Sequence, residues 1–304
     1  MFSSRPLLCF VVLLFLLPFS SAQASINMNA DAVQKTTVVF LYSANDRGEV
    51  NQQVPEGTGF FVEIPHRSDP KRSYRVLVTA RHIVDPVWAK CGVTTNPVMI
   101  YARLNKKDYK PDSGEPEVEF VPISLLDNGE RTWIHHSEND IDAAVVVMPG
   151  DFSRFDIASI PIRIFPTDEE VASQSIGDPV VLAGLLPAPP GGKRNYPVFK
   201  FGNIFDIPHE DIQTRCQQNQ PPSSVKVWLI TGKLVSGNSG SPIFHVPLGG
   251  SGVVIGDTRP ILLGVQSVSV IGADVAGMTP ISFVFEILQR SGFSDADFRR
   301  GTIP

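Results

Sequence analysis

Between residues 36 and 270 one pattern recurs: a short run of branched and aromatic residues, then a break of Gly, Pro, Asp or Asn. The runs are TTVVFLYS (36–43), GTGFFVEI (57–64), YRVLVTA (74–80), PVMIYARL (97–104), EVEFVPISLL (117–126), DAAVVVM (142–148), DPVVLAG (178–184), PVFKFGNIF (197–205), VKVWLITG (225–232), SPIFHV (241–246) and PILLGVQSVSV (260–270). Such runs are too short for helices and have the composition of a pleated, half-buried surface. Helical periodicity occurs only in ISFVFEILQ (281–289), where Ile281, Val284, Phe285, Ile287 and Leu288 share one broad face. With 24 Gly and 26 Pro to supply turns, the chain reads as all-β, a barrel or sandwich with a short C-terminal helix. The polar stretches 105–117, 186–197 and 209–224 read as surface loops, and no repeat or low-complexity block interrupts the pattern.

The first 24 residues stand apart. They hold one basic residue (Arg5), an apolar run from Leu7 to Phe19 and small residues at Ala22 and Ala24. This is the layout of a secretory leader cleaved after Ala24, and the run is shorter than a membrane span. The expectation is an exported chain, periplasmic or extracellular, with a mature domain over 25–304 and no membrane attachment after cleavage. Without Arg5 the balance is 25 basic against 31 acidic residues, and no basic run points to nucleic acid. Export leaves Cys91 and Cys216 in an oxidising compartment, where they are a candidate disulfide; the sequence does not say whether they meet.

The stretch LVSGNSGSPIF (234–244) holds Ser236, Ser239 and Ser241 in a glycine-rich turn between apolar runs. A nucleophilic serine needs a base, and His82 ends the apolar run VLVTA before Ile83 and Val84. The adjacent pair His135 and His136 lacks metal-ligand spacing and reads as loop; no metal or organic cofactor is implied. An acid that orients the imidazole is available in HHSENDIDAAVVVMP as Asp140 or Asp142.

VLVTARH, DAAVVV and SGNSGSPIF, in that order, resemble the trypsin/chymotrypsin-like serine proteases, in particular bacterial members of the glutamyl-endopeptidase and HtrA type. GTGFFV, IGDPVVLAGL (176–185) and LLGVQSVSV (262–270) extend the resemblance over about residues 36–290. It implies two packed six-stranded Greek-key barrels, the first over about 36–165 and the second over about 170–275. It implies an exported serine endopeptidase acting on protein or peptide substrates, with Ser239 as nucleophile, His82 as general base and Asp142 as orienting acid. Asp142 is preferred over Asp140 because Ala144 fits the family's alanine. The N–H groups of Gly237 and Ser239 would form the oxyanion hole, and Lys233, Ser267, Val268 and Ser269 the specificity pocket.

The chain also departs from the family. Asn238 stands where trypsin-like zymogens carry the aspartate that pairs with a freed N-terminus, as in bacterial members. Gln266 stands where glutamate-specific members carry histidine, so that specificity is not supported. Arg81 is bulkier than usual beside the histidine, and is expected either to face solvent or to narrow the cleft. The 65 residues after Ser239 leave no room for a PDZ domain beyond the second barrel. An α/β-hydrolase esterase is disfavoured: Ser241 replaces the last glycine of its elbow motif, and only His245 follows the serine. The remaining alternative is a protease-fold protein that binds peptides or a partner without turnover.

Overall fold

The structure is a computed structural model. It describes residues 38–44, 49–50, 55–66, 69–108, 114–115, 117–148, 150–185, 193–215, 222–232, 237–246, 260–269 and 274–291, with the side chains of 38 and 70–72 left aside. The leader, Lys233, Ser236 and Cys216 lie outside these residues.

The chain is all-β. The first half contains β1 (Val38–Tyr42), β2 (Gly57–His66), β3 (Asp69–Thr79), β4 (Met99–Asn105), β5 (Val118–Ser124), β6 (Leu126–Asp127), β7 (Glu130–Arg131), β8 (Trp133–His135), β9 (Ala144–Val147) and β10 (Ile160–Pro161). The second contains β11 (Pro179–Leu185), β12 (Pro197–Asp206), β13 (Ile212–Thr214), β14 (Ser223–Val225), β15 (Trp228–Thr231), β16 (Pro242–His245), β17 (Ile261–Ser269) and β18 (Val275–Pro280). Among the described residues the α-helices are α1 (Arg81–Val84), α2 (Asp168–Ala172) and α3 (Ile281–Arg290), and a 3-10 turn spans Ile162–Ile164.

Strands β11, β12, β15, β18, β17 and β16 close into a six-stranded barrel. After three neighbouring strands the chain crosses from β15 to β16, which pairs with β11. Residues 232–241, which include the serine turn, make this crossing. The first half is an eight-stranded sheet in the order β5-β4-β1-β2-β3-β9-β8, with β10 added alongside β2. Among the described residues no ladder closes the first half into the barrel expected from the sequence. The chain leaves β5 through the β6–β7 hairpin, and β9 pairs with β8 instead.

Alternation along the strands explains the packing. From β1, Val39 and Leu41 join Phe61, Leu77, Ile100 and Phe155 inside the first sheet. Phe40 and Tyr42 point the other way, with Phe60, Val62 and Ile64, onto Val181, Ala183 and Leu185 of the barrel and Ile281, Val284 and Leu288 of α3. Strand β2 is therefore buried on both faces, which is why GTGFFVEI reads as a nearly continuous apolar run. A separate cluster of Val180, Leu182, Ile230, Ile243, Leu263 and Met278 fills the barrel.

Two loop expectations change. The stretch 209–224 contains β13 and most of β14, paired as a small hairpin. His135 ends β8, and His136 is buried: its Nε2 lies 2.9 Å from Glu286 Oε2 of α3, while its Nδ1 accepts the Glu138 N–H at 3.1 Å. This pairing anchors α3 to the segment that leads into Asp142.

Candidate active site

Strand β3 ends at Thr79, and the chain turns at once into the single helical turn α1, so His82 is set at a strand end rather than on the strand. Asp142 holds it at two points. Asp142 Oδ1 accepts the His82 backbone N–H at 3.0 Å, and Oδ2 lies 2.7 Å from Nδ1. The carboxylate is nearly buried while the imidazole is a quarter exposed, so Nε2 is the nitrogen left to face outward. Burial alone disfavours the imidazolium, but the charge and hydrogen bond of Asp142 outweigh it and raise the His82 pKa above 6.5. Asp140 faces elsewhere: its carboxylate lies 3.4 Å from Lys226 Nζ, and its carbonyl accepts the Lys226 N–H.

The serine turn is fastened to the first sheet through Thr58 of β2. Thr58 N–H donates to Ser239 O at 2.7 Å and its hydroxyl to Gly237 O at 2.6 Å. The Thr79 hydroxyl in turn donates to Thr58 O at 2.7 Å. Gly240 lies directly against this hub. Its φ is +89°, and a Cβ there would meet Thr58 O at 1.8 Å, so only glycine fits. Gly57 brings the histidine and serine segments together, because a Cβ there would meet Ile83 Cδ1 at 2.2 Å and Ser239 O at 2.9 Å. On the barrel side, Gly240 N–H donates to Gln266 O and Gln266 N–H to Ser241 O. Of the described residues in the turn, Gly237, Asn238, Gly240 and Ser241 are buried and Ser239 is half-exposed. Among the described residues, no acceptor is paired with the Gly237 or Ser239 N–H.

Residues distant in sequence complete the site. The Lys200 ammonium, from β12, donates to Asn238 Oδ1 at 2.5 Å, and Asn238 Nδ2 donates to Leu185 O at 3.2 Å. Burial lowers the Lys200 pKa. A side-chain cation thus reaches the residue just before Ser239; Asn238 stood out in the sequence, but nothing there identified its partner. Thr79, Thr58 and Lys200 were all missed as site residues, for each is placed there by a contact with a separate segment of the chain.

Arg81 meets neither expectation. It is buried, with Nη2 3.0 Å from Asp85 Oδ2, Nη1 3.3 Å from Asn139 Oδ1, and its guanidinium stacked 4.7 Å over Trp88. Asp85 also accepts from Asn96 Nδ2, and Trp88 Nε1 donates to Asn139 O. Arg81 therefore joins the segment after His82 to the segment before Asp142. Of the expected pocket residues, Ser267 is buried, its hydroxyl 3.0 Å from that of Thr279, which donates to Asp142 O at 3.4 Å. Val268 is half-buried and Ser269 exposed. Cys91 is disulfide-bonded. Among the described residues no group of three or more His, Cys, Asp or Glu is placed to hold a metal ion.

No protein-family model and no curated protein matches the sequence. Among solved structures, the chain is similar to the active form of the Rv3671c protease from M. tuberculosis, at 18% identity over 96% of this chain and 93% of that one, with a TM-score of 0.45. It is similar also to the tobacco etch virus protease, at 12% identity over 84% of this chain and 77% of that one, with a TM-score of 0.46.

Proposed function

We propose that the protein is a serine endopeptidase of the trypsin-like type, exported by the leader of residues 1–24. Ser239 is the nucleophile, His82 the general base and Asp142 the orienting acid. The observation that carries this reading is the double grip of Asp142 on His82, 2.7 Å at Nδ1 and 3.0 Å at the backbone N–H. A carboxylate placed this way fixes the tautomer with its proton on Nδ1 and stabilises the imidazolium, leaving Nε2 to take a proton. The half-exposed Ser239 sits on a turn fastened to the strand beside the histidine segment.

In this mechanism Ser239 Oγ attacks the carbonyl carbon of a peptide bond and its proton passes to His82 Nε2. The N–H groups of Gly237 and Ser239 receive the oxyanion. The C–N bond breaks as His82 returns the proton to the departing amine. Water then repeats the sequence on the acyl-enzyme. Greek-key winding, in both the closed barrel and the sheet, supports the trypsin-like form of the fold.

A fluorophosphonate probe tests the reading. The folded protein is expected to be labelled and Ser239→Ala to remain unlabelled. Absence of labelling on the folded wild-type protein would instead favour a peptide-binding role without turnover.

A further inference from the structure

A cavity of about 760 Å³ opens beside His82, of a size that takes small ligands or a few side chains. Its described lining residues all belong to the first half: the β1–β2 connection, α1, the segment 86–98 and the start of β4. It is mainly apolar, with Ile83, Val93, Val98, Met99 and Tyr101 on its surface. Val98 is 63% exposed and Val93 43% exposed. Single exposed valines mean little, but two that face the same cavity beside a candidate catalytic base give it an unfilled apolar lining. Among the described residues the one carboxylate on the wall is Glu56, whose Oε1 accepts the Ser43 hydroxyl at 2.6 Å.

We propose that this cavity receives the departing half of a peptide substrate, and that it selects large apolar residues immediately after the cleaved bond and rejects acidic ones. The assignment rests on the serine endopeptidase reading. In that chemistry the acyl half stays on Ser239, on a turn of the barrel, and the amine half leaves past the group that protonates it. That group is His82, which lines the cavity, whereas none of the described residues of the Ser239 turn or of β17 does. The wall is also built in advance. The segment 85–96 is held by Arg81, Asp85, Asn96 and Trp88, and Cys91 within it is disulfide-bonded. A pre-formed apolar wall leaves little ordering to be done on binding, which favours selection by shape and polarity.

The test pairs labelling with cleavage. A fluorophosphonate loses fluoride, which places nothing in the cavity, so its labelling reports on Ser239 alone. Cleavage of a proteome-derived peptide mixture, read by mass spectrometry, then shows which residues follow the cleaved bond. Matched peptides that differ only there, with Leu, Gly or Asp, give the ratios. Leu is expected to exceed Asp by about tenfold or more in kcat/KM. Val98→Asp is expected to lower the Leu-to-Gly ratio about tenfold, and Glu56→Gln to raise cleavage of the Asp peptide; melting curves verify that both variants fold. Labelling with no preference after the cleaved bond overturns this proposal and leaves the endopeptidase reading intact. Absence of labelling overturns both. If Val98→Asp alters the oligomeric state in size-exclusion chromatography and leaves the ratios untouched, the cavity is a self-contact and the proposal also fails.

Discussion

Strands β1, β2, β3 and β9 lie side by side as β11, β12, β15 and β18 do, and β4 returns to β1 as β16 returns to β11. In both halves the crossing from the third strand to the fourth carries a candidate catalytic residue: His82 in residues 80–98 and Ser239 in residues 232–241. The pairing that differs is the one that closes the ring. In the barrel β17 pairs with β18, whereas β5 and β9 do not pair, and the chain between them forms β6, β7 and β8 before it delivers Asp142. The crossings are also held by different means. The His82 crossing is stiffened by side chains, through Asp142 and the Arg81–Asp85–Asn96 network. The Ser239 crossing is held chiefly by backbone hydrogen bonds to Thr58 and Gln266, with glycine where nothing larger fits. A base must keep its ring orientation as it exchanges protons, so side-chain partners suit it. An oxyanion turn must leave N–H groups directed outward, so its fastening falls to the carbonyls and to neighbouring residues.

The largest expected effect separates the two aspartates that lead into β9. Asp142→Asn should lower kcat about 10⁴-fold by disturbing the tautomer, while Asp140→Asn should change it little. Single-turnover kinetics on one peptide decides between them, and the reverse order would move the acid to Asp140. Next come the two fastenings. Arg81→Ala should cost about 3 kcal/mol in denaturant unfolding, since it strands the buried Asp85 carboxylate. Gly240→Ala should cost about 3 kcal/mol through positive φ and the clash with Thr58 O. If Arg81→Ala were neutral, the side-chain fastening of the histidine crossing would be ornamental.

Lys200→Met should reduce kcat about 10²-fold with KM nearly unchanged, because a loosened Asn238 misplaces the turn and not the bound peptide. Lys200→Arg should restore much of it. Burial lowers the Lys200 pKa, so its ammonium is lost at lower pH than that of an ordinary lysine. Wild-type activity should therefore fall on the alkaline side earlier than in Lys200→Arg. The smallest effect is the acid limb of kcat/KM. The base must be neutral, and its pKa is raised by Asp142, so activity should rise with pH through a midpoint above about 6.5. Asp142→Asn should move that midpoint down.

Much of the strand plan was legible, since each strand is a local run whose branched residues and flanking turns mark it, and α3 was legible from its single apolar face. Closure of the first half was not, because whether β5 meets β9 depends on the geometry of the intervening hairpin, and DNGER (127–131) reads only as a turn. Arg81 illustrates the same limit in one residue. Its size beside His82 was visible, but its direction is set by Asn139, 58 positions away.

By itself the sequence determined an all-β chain with its strand runs, the order of His82, Asp142 and Ser239, and the glycines of the serine turn, for these are properties of residue type and local spacing. The tertiary structure puts on His82 the carboxylate of Asp142, which the family resemblance already preferred over Asp140, and it alone decided that Lys200 reaches Asn238 and that Thr58 ties the two crossings together. Each of these contacts joins residues 38 to 181 positions apart, the first two within one half and the third between the halves, and only tertiary packing sets which groups meet.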